Sequence, residues 1–396
     1  MFEKKELVDL IGRLVSIPSP YFEEEEIMQS VERWLQDQGL DCMVHEFHEA
    51  AITGFKGKNL VVELKGQEEG PVICLNGHLD TVQLCNGWTR DPYKGEIEGD
   101  RLYGLGALDM KSGCAAILMT LSEFRKRNNY FRGKIIATLV SGEEGPYGLG
   151  TNALIEEGYL KDVDVSIITE PSAGFTKNPF PVVCLGARGG YGLEIEVFGK
   201  SAHAAMPEEG ISAALDAARL ICELEKVDYK KHEELGTGTA CVVAVESDGG
   251  ACSVPDYARI QLFWHIVVGE NEETIREEIE KAIQRSGIRS RCKINFREAP
   301  SPDSKGFLPF TVSRKDPFVA DFLETVGQIC GEEPKIDYFK SIGDFNYLGS
   351  RINAPAIIFG PSGENFHSYD EYVELDAAVK TADVLLGYLE KLLVNK

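Results

Sequence analysis

Val72-Ile73-Cys74-Leu75-Asn76-Gly77-His78-Leu79-Asp80 begins as an uninterrupted apolar run and ends in small and polar residues. A short run without polar alternation fits a strand buried on both faces, the habit of parallel sheets covered by helices. Three further runs share this texture, at residues 134–140, 165–168 and 356–359, and each gives way to small or polar residues. Elsewhere the period changes: residues 114–124 and 375–393 carry apolar side chains at helical spacing. This alternation predicts an α/β fold with a mostly parallel sheet and helices on both faces.

The middle of the chain reads differently. Residues 192–198 alternate like a half-buried strand, 211–224 are helical, and 240–245 and 258–268 are strand-like. Residues 271–286 form an amphipathic helix with Asn271 as its N-cap, and 292–296 return to strand. The order strand, helix, strand, strand, helix, strand predicts an inserted α+β domain of ferredoxin-like type, one sheet backed by two helices. Proline and glycine near residues 178–190 and 300–309 mark crossing points. We therefore expect a discontinuous domain of residues 1–182 and 298–396, interrupted by an insert of residues 183–297. A length of 396 residues agrees, since one core serves roughly 150.

Composition excludes several classes of function. Hydrophobic residues make up 43% and charged residues 27%, values of a globular protein, and no run is long enough to cross a bilayer. A net charge of −23 argues against nucleic acid or an anionic membrane as partner, because phosphate contacts need a basic face. The ten cysteines are scattered without a C-x-x-C pair, which suits small buried residues better than a disulfide framework. Residues 1–14 read as an amphipathic helix without the features of a signal peptide, which predicts a cytoplasmic location. The acidic run from Glu23 to Glu26 reads as the solvated start of a helix.

In an open α/β sheet, ligands bind beyond the carboxyl ends of the strands, and the reactive side chains gather there. His78 and Asp80, two apart on extended backbone, face the same side, so Asp80 can orient the imidazole. Asp109 stands just before a helix, in Gly106-Ala107-Leu108-Asp109-Met110-Lys111-Ser112-Gly113. Glu143 and Glu144 follow a strand in Ser141-Gly142-Glu143-Glu144-Gly145, and adjacent carboxylates at a strand end are unfavourable without a positive partner. Glu170 follows the strand at 165–168, and His367 follows the strand at 356–359. Singly, each has an ordinary reading: a hydrogen-bonded histidine, an N-cap aspartate, a solvated acid pair. Jointly, they form a mixed nitrogen and oxygen set suited to zinc or a similar divalent ion.

In these motifs and their spacing, over nearly its whole length, the chain resembles the two-zinc metallopeptidase family that includes aminoacylase, carboxypeptidase G, acetylornithine deacetylase and succinyl-diaminopimelate desuccinylase. The resemblance implies a dinuclear metal-dependent hydrolase that cleaves an amide bond of a small substrate, as an N-acyl amino acid deacylase or a dipeptidase or carboxypeptidase. It implies two divalent ions, zinc or alternatively cobalt or manganese, with His78 and Glu170 on one, Glu144 and His367 on the other, and Asp109 bridging. Glu143 would be the general base for a metal-bridging water, with Asp80 supporting His78.

The resemblance also gives a role to His203, in Gly199-Lys200-Ser201-Ala202-His203-Ala204-Ala205-Met206-Pro207. There it would donate to the developing oxyanion from a second subunit, which implies a homodimer through the insert. Relatives that read a substrate carboxylate carry an asparagine and an arginine around the proline aligned with Pro255, where this chain has Cys252 and His265. These departures motivate an alternative expectation, a non-catalytic metal-dependent binding or regulatory protein on the same fold. An intact Glu143 argues against it, since a binding protein has no use for a base.

Overall fold

The computed structural model describes residues 3–394. Of the helix expected over residues 1–14, Met1 and Phe2 lie outside the described residues. The first half contains helices α1 (Lys4–Val15) and α2 (Glu25–Asp37), then strands β1 (Met43–His48), β2 (Lys56–Lys65) and β3 (Glu68–His78). Helix α3 (Ser112–Arg127), strand β4 (Arg132–Val140), helix α4 (Leu149–Glu156) and strands β5 (Val165–Ile168) and β6 (Val182–Ala187) follow. The insert runs through β7 (Gly189–Phe198), α5 (Ala213–Leu224), β8 (Thr239–Ser247), β9 (Tyr257–Ile266), α6 (Glu272–Ser286) and β10 (Arg291–Phe296). Last come α7 (Pro317–Cys330), β11 (Lys335–Phe339), α8 (Phe345–Arg351), β12 (Ala356–Ile358) and α9 (Leu375–Leu393).

Two compact units result, Met1–Ala187 with Thr311–Lys396, and Arg188–Phe310. Relative to the expected boundaries, β6 stays in the first unit and residues 298–310 go with the second. Pairing is the reason. β6 is hydrogen-bonded beside β11 and β12, whereas the Gly190 N–H donates to the Phe307 carbonyl at 2.8 Å and closes the second unit at its base.

In the first unit the sheet order is β1-β2-β4-β3-β5-β12-β6, with β11 also beside β6. Its centre, β4-β3-β5-β12, is parallel, while β1, β2 and β6 pair antiparallel toward the sides. Central strands are the continuous apolar runs: Ile73, Leu75, Ile135, Ala137, Ile167 and Ile357 are fully buried. Each large aliphatic side chain so buried contributes about 1.5–3 kcal/mol. Helix α3 opens Ser112-Gly113-Cys114-Ala115-Ala116, small residues that let it pack closely against α9, and it is apolar on nearly every face because it is buried.

One expectation is corrected here. Helix α2 does begin with exposed acids at Glu25 and Glu26, but Glu24 is only 3% exposed. Phe22 has a left-handed backbone (φ 74°), and the Glu24 carboxylate accepts from the Phe22 N–H as well as from Gly142 across the fold.

The second unit is an antiparallel sheet of order β8-β9-β7-β10. Alternation sorts its faces: Tyr191, Leu193, Ile195 and Val197 on β7, and Ala258, Ile260, Leu262 and Trp264 on β9, pack in one core with Ala217 and Leu220 of α5 and Ile275 and Ile279 of α6. The Asn271 side chain accepts from the Glu273 and Thr274 N–H groups, and the Thr274 hydroxyl accepts from the Asn271 N–H, a complete capping box. The element order is the expected α+β one, with a two-residue hairpin pairing Lys231–His232 and Gly236–Thr237 in addition. Among the described residues no helix is long and apolar enough to cross a membrane.

Candidate metal centre

Strand register brings the reactive residues together. His78, the last residue of β3, is level with Val140, so the segment carrying Glu143 and Glu144 starts beside it. Asn76 is level with Ile168, which delivers Glu170 to the other flank, and Ile168 is level with Ile358 of β12. Asp109 arrives from a different direction, in a distorted turn at Ala107–Lys111 that follows left-handed Gly106 (φ 76°) and runs into α3. That turn hangs on Glu371, whose carboxylate accepts from the N–H groups of Gly106, Leu108 and Asp109 at 2.9, 2.8 and 3.0 Å. A Cβ on Gly113 would sit 2.3 Å from the Thr169 carbonyl oxygen, so only glycine lets α3 start this close to the Glu170 loop.

Asp109 lies between two imidazoles. One carboxylate oxygen, Oδ1, is 3.4 Å from His78 Nε2, and the other, Oδ2, is 3.3 Å from His367 Nε2. Glu170 Oε1 is 3.6 Å from His78 Nε2, and Glu144 Oε1 is 3.0 Å from His367 Nε2. Donor atoms of His78, Asp109 and Glu170 lie within 4.8 Å of one another, as do those of Asp109, Glu144 and His367. His78 Nε2 is buried without a hydrogen-bond partner.

Glu143 stands beside this pair of triads, with Oε2 3.9 Å from His78 Nε2 and Oε1 accepting the Asp344 N–H at 2.9 Å. The Asp344 carboxylate in turn accepts from the Thr151 hydroxyl, and Glu143, Glu170 and Asp344 form a third cluster within the same 4.8 Å limit.

Electrostatics show what the cluster lacks. Burial, reinforced by the Asp109 charge, pushes Glu170 up to about 8 and also raises Glu144. Burial and the carboxylates of Asp344, Glu170 and Glu144 hold Glu143 well above the usual range, against the pull of His78. Burial disfavours charge on His367, but Asp109 and Glu144 override it and raise the imidazole to about 11. Burial would raise Asp109 too, yet the two imidazoles reverse this and leave it below the ordinary carboxylate range. Acids packed this densely around an orphaned imidazole nitrogen call for added positive charge. The nitrogen and oxygen donors are those that divalent ions such as zinc take.

The structure thus gathers His78, Asp109, Glu143, Glu144, Glu170 and His367 in one place. Asp80 is adjacent, but its contact with the imidazole differs from the expected one. Its backbone carbonyl is 3.0 Å from His78 Nδ1 and its carboxylate 3.7 Å, while carboxylate Oδ2 accepts the Glu144 N–H at 2.8 Å. His203 belongs to the second unit, where its exposed ring accepts the Ala205 N–H through Nδ1. Cys252 is exposed, and His265 packs on Phe263 with ring centroids 4.8 Å apart. Sequence reasoning missed Glu371 and Asn59, whose local sequence carries no signal of an inward-turned side chain, and read Glu24 only within the solvated run from Glu23 to Glu26.

The sequence profile of peptidase family M20/M25/M40 matches residues 74–391. Curated relatives include succinyl-diaminopimelate desuccinylases of Sulfurovum sp., 24% identical over 382 residues and covering 96% of each chain, and of Wolinella succinogenes, 26% identical over 379 residues, covering 92% of this chain and 98% of the relative. Among solved structures, aminopeptidase PepT from Bacillus cereus superposes with a TM-score of 0.80 at 21% identity, covering 98% of this chain and 99% of the other. A tripeptidase from Staphylococcus aureus gives 0.81 at 21% identity over 99% of both chains. These structural likenesses speak for the fold alone.

Proposed function

Because the chain belongs to peptidase family M20/M25/M40 and so acts as a hydrolase on amide or peptide bonds, we propose that it is a dinuclear metal-dependent deacylase or short-peptide hydrolase of small substrates. The observation that carries this reading is the Asp109 carboxylate, with one oxygen toward each of two imidazoles. His78 and Glu170 would hold one ion, Glu144 and His367 the other, and Asp109 would be shared; zinc fits the donors, with cobalt or manganese as alternatives. Bound there, divalent ions polarise a carbonyl and make water acidic enough to attack near neutral pH.

The chain's own residues do the rest. Glu143 takes the proton from the attacking water and passes it to the departing nitrogen. Its Oε1 is anchored by Asp344, so Oε2, the oxygen nearer His78, is the one that faces the reacting atoms. Asp80 fixes both the His78 ring and the Glu144 backbone. His203 would donate a hydrogen bond to the oxyanion from a second copy of the chain, a role that rests on its motif.

Two substrate classes are to be compared: N-acyl amino acids, succinyl ones among them as the curated relatives' names suggest, and di- or tripeptides, as the family resemblance implies. Protein loaded with zinc, cobalt or manganese, assayed against N-acetyl and N-succinyl amino acids, dipeptides and tripeptides, chooses between them. Silence across the whole panel with all three metals would favour the non-catalytic alternative. Glu143→Gln is expected to keep its metal and lose about 10²- to 10⁴-fold in turnover; hydrolysis at the parent rate would overturn the assignment. Mixing Glu143→Gln with His203→Ala subunits should restore activity if His203 acts across a dimer, and no recovery after verified exchange would place it elsewhere.

A further inference from the structure

We infer that Glu24 is a positioning residue for Glu143, acting through the backbone of the segment that carries it. This rests on the reading of Glu143 as the proton-transfer group.

That segment, residues 141–144, is a loop with few constraints of its own, since Gly142 is left-handed (φ 69°) and Gly145 follows. It is held by three buried side chains from three different parts of the first unit. Asn59 accepts the Ser141 N–H at 3.2 Å, and its amide donates to the Gly150 carbonyl at 3.0 Å. Asp80 accepts the Glu144 N–H. Glu24 Oε1 accepts the Gly142 N–H, directly before Glu143, at 2.9 Å, and the same oxygen accepts the Phe22 N–H at 2.9 Å.

Phe22 presses on the same loop. Its ring lies so close that a Cβ on Gly145 would come within 3.0 Å of it, and it stacks on Phe55 with centroids 4.6 Å apart. The strand-like stretch before it is tied to the His78 side of the centre: Thr81 donates to the Ser19 carbonyl and Tyr21 to the Thr81 carbonyl, each at 2.9 Å, while the Ser19 hydroxyl donates to the Leu79 carbonyl at 2.8 Å. Lys111, two residues past Asp109 and fully buried, donates to the Ile17 carbonyl at 2.8 Å. Residues 17–24 therefore form a strap that touches the loops bearing His78, Asp109 and Glu143, and Glu24 is its end on the Glu143 side. Neutral helix starts are satisfied by exposed hydroxyls or amides; a carboxylate 97% withdrawn from solvent to hold one backbone N–H of this loop needs another reason.

The test is Glu24→Ala, Glu24→Asp and Glu24→Gln in metal-loaded protein, on whichever N-acyl amino acid or peptide of the panel the parent hydrolyses. Alanine removes the acceptor and aspartate is too short to reach both N–H groups, so each should lower kcat on the order of 10- to 100-fold with KM and metal content unchanged. Glutamine keeps the accepting oxygen and should restore parental kcat. Amide exchange at Gly142 should speed up in the alanine and aspartate variants and not in glutamine. If alanine does not fold, aspartate carries the test. Parental kcat in both shortened variants, unchanged Gly142 exchange, a loss matched by loss of metal, or a glutamine variant as poor as alanine would each overturn the inference. Glu143→Gln run alongside separates the two readings. If it turns over normally, the role of Glu143 fails; if it is inactive while Glu24→Ala is not, only the role of Glu24 fails.

Discussion

Asp109 and Asp216 are both buried aspartates held below their ordinary pKa, one in each unit, and they are satisfied in opposite ways. Asp216 on α5 is complete as it stands. Its Oδ2 accepts the N–H groups of Arg289 and Ser290 at 3.0 Å each and the Ser290 hydroxyl at 2.8 Å, and its Oδ1 takes Arg219 at 3.1 Å. Burial pushes its carboxyl up, and these donors more than reverse the push. Among the described residues Asp109 has only two imidazoles, each also facing another acid, and Glu143, Glu144 and Glu170 around it are all displaced upward. The Asp216 carboxylate brings its own donors; the candidate centre at Asp109 leaves its acids facing one another, short of positive charge.

Removing that outside charge should have the largest effect. Dialysis against a chelator is expected to lower Tm substantially, with recovery on adding zinc, because an ion at roughly a thousandfold over its Kd stabilises the native state by about 4 kcal/mol. An unchanged Tm would make the Asp109 cluster as self-sufficient as that of Asp216, and the contrast would collapse. Next in size, Asp216→Ala strands the Arg289 and Ser290 N–H groups and the Ser290 hydroxyl and should cost about 3 kcal/mol in urea unfolding, with metal content at the parental level. Loss of metal in that variant would break the distinction from the other side.

Acid sharpens the comparison further. The Asp216 pKa is depressed in the folded state relative to 3.8, so the unfolded chain binds more protons as pH falls past that value. Its contribution is therefore fully present above about pH 4 and lost as pH drops through the folded value. The gap in unfolding free energy between the parent and Asp216→Asn should be widest at pH 5 and above and narrow in stronger acid; a gap that widened there would reverse the sign. The smallest effect is expected at the exposed capping box: Asn271→Ala should cost about 1 kcal/mol and leave metal and turnover untouched.

Legibility in the sequence followed the same division. The central strands could be read because burial on both faces leaves no polar alternation: the run at 165–168 is β5 itself, and 134–140 lies inside β4. Helix α9 was legible to the residue for a different reason, the helical spacing of its apolar side chains. By contrast, β6 falls among prolines and glycines at 178–190 that read as a crossing point, and only pairing with β11 and β12 reveals it as part of the sheet. Residues of the centre were legible where an acid or imidazole stands just past such a strand, as His78, Glu143, Glu144 and Glu170 do. Glu371 and Glu24 were not, because nothing local distinguishes a glutamate that turns inward to collect backbone N–H groups from one that faces water. Phe22, left-handed just before Glu24, packs on Phe55, a contact that no local pattern signals.

The position of β12 has a consequence for how the protein is made. In the finished sheet it lies between β5 and β6, yet on the ribosome it emerges only after all of Arg188–Phe310. Until then the nascent first unit exposes the flank of β5, an open parallel edge of the sort that recruits other chains, and it also lacks His367. Translation stalled before residue 356 would leave a product prone to aggregate and missing one imidazole of the candidate metal centre. His367 thus reaches the Asp109 cluster only after the whole of Arg188–Phe310 has been made.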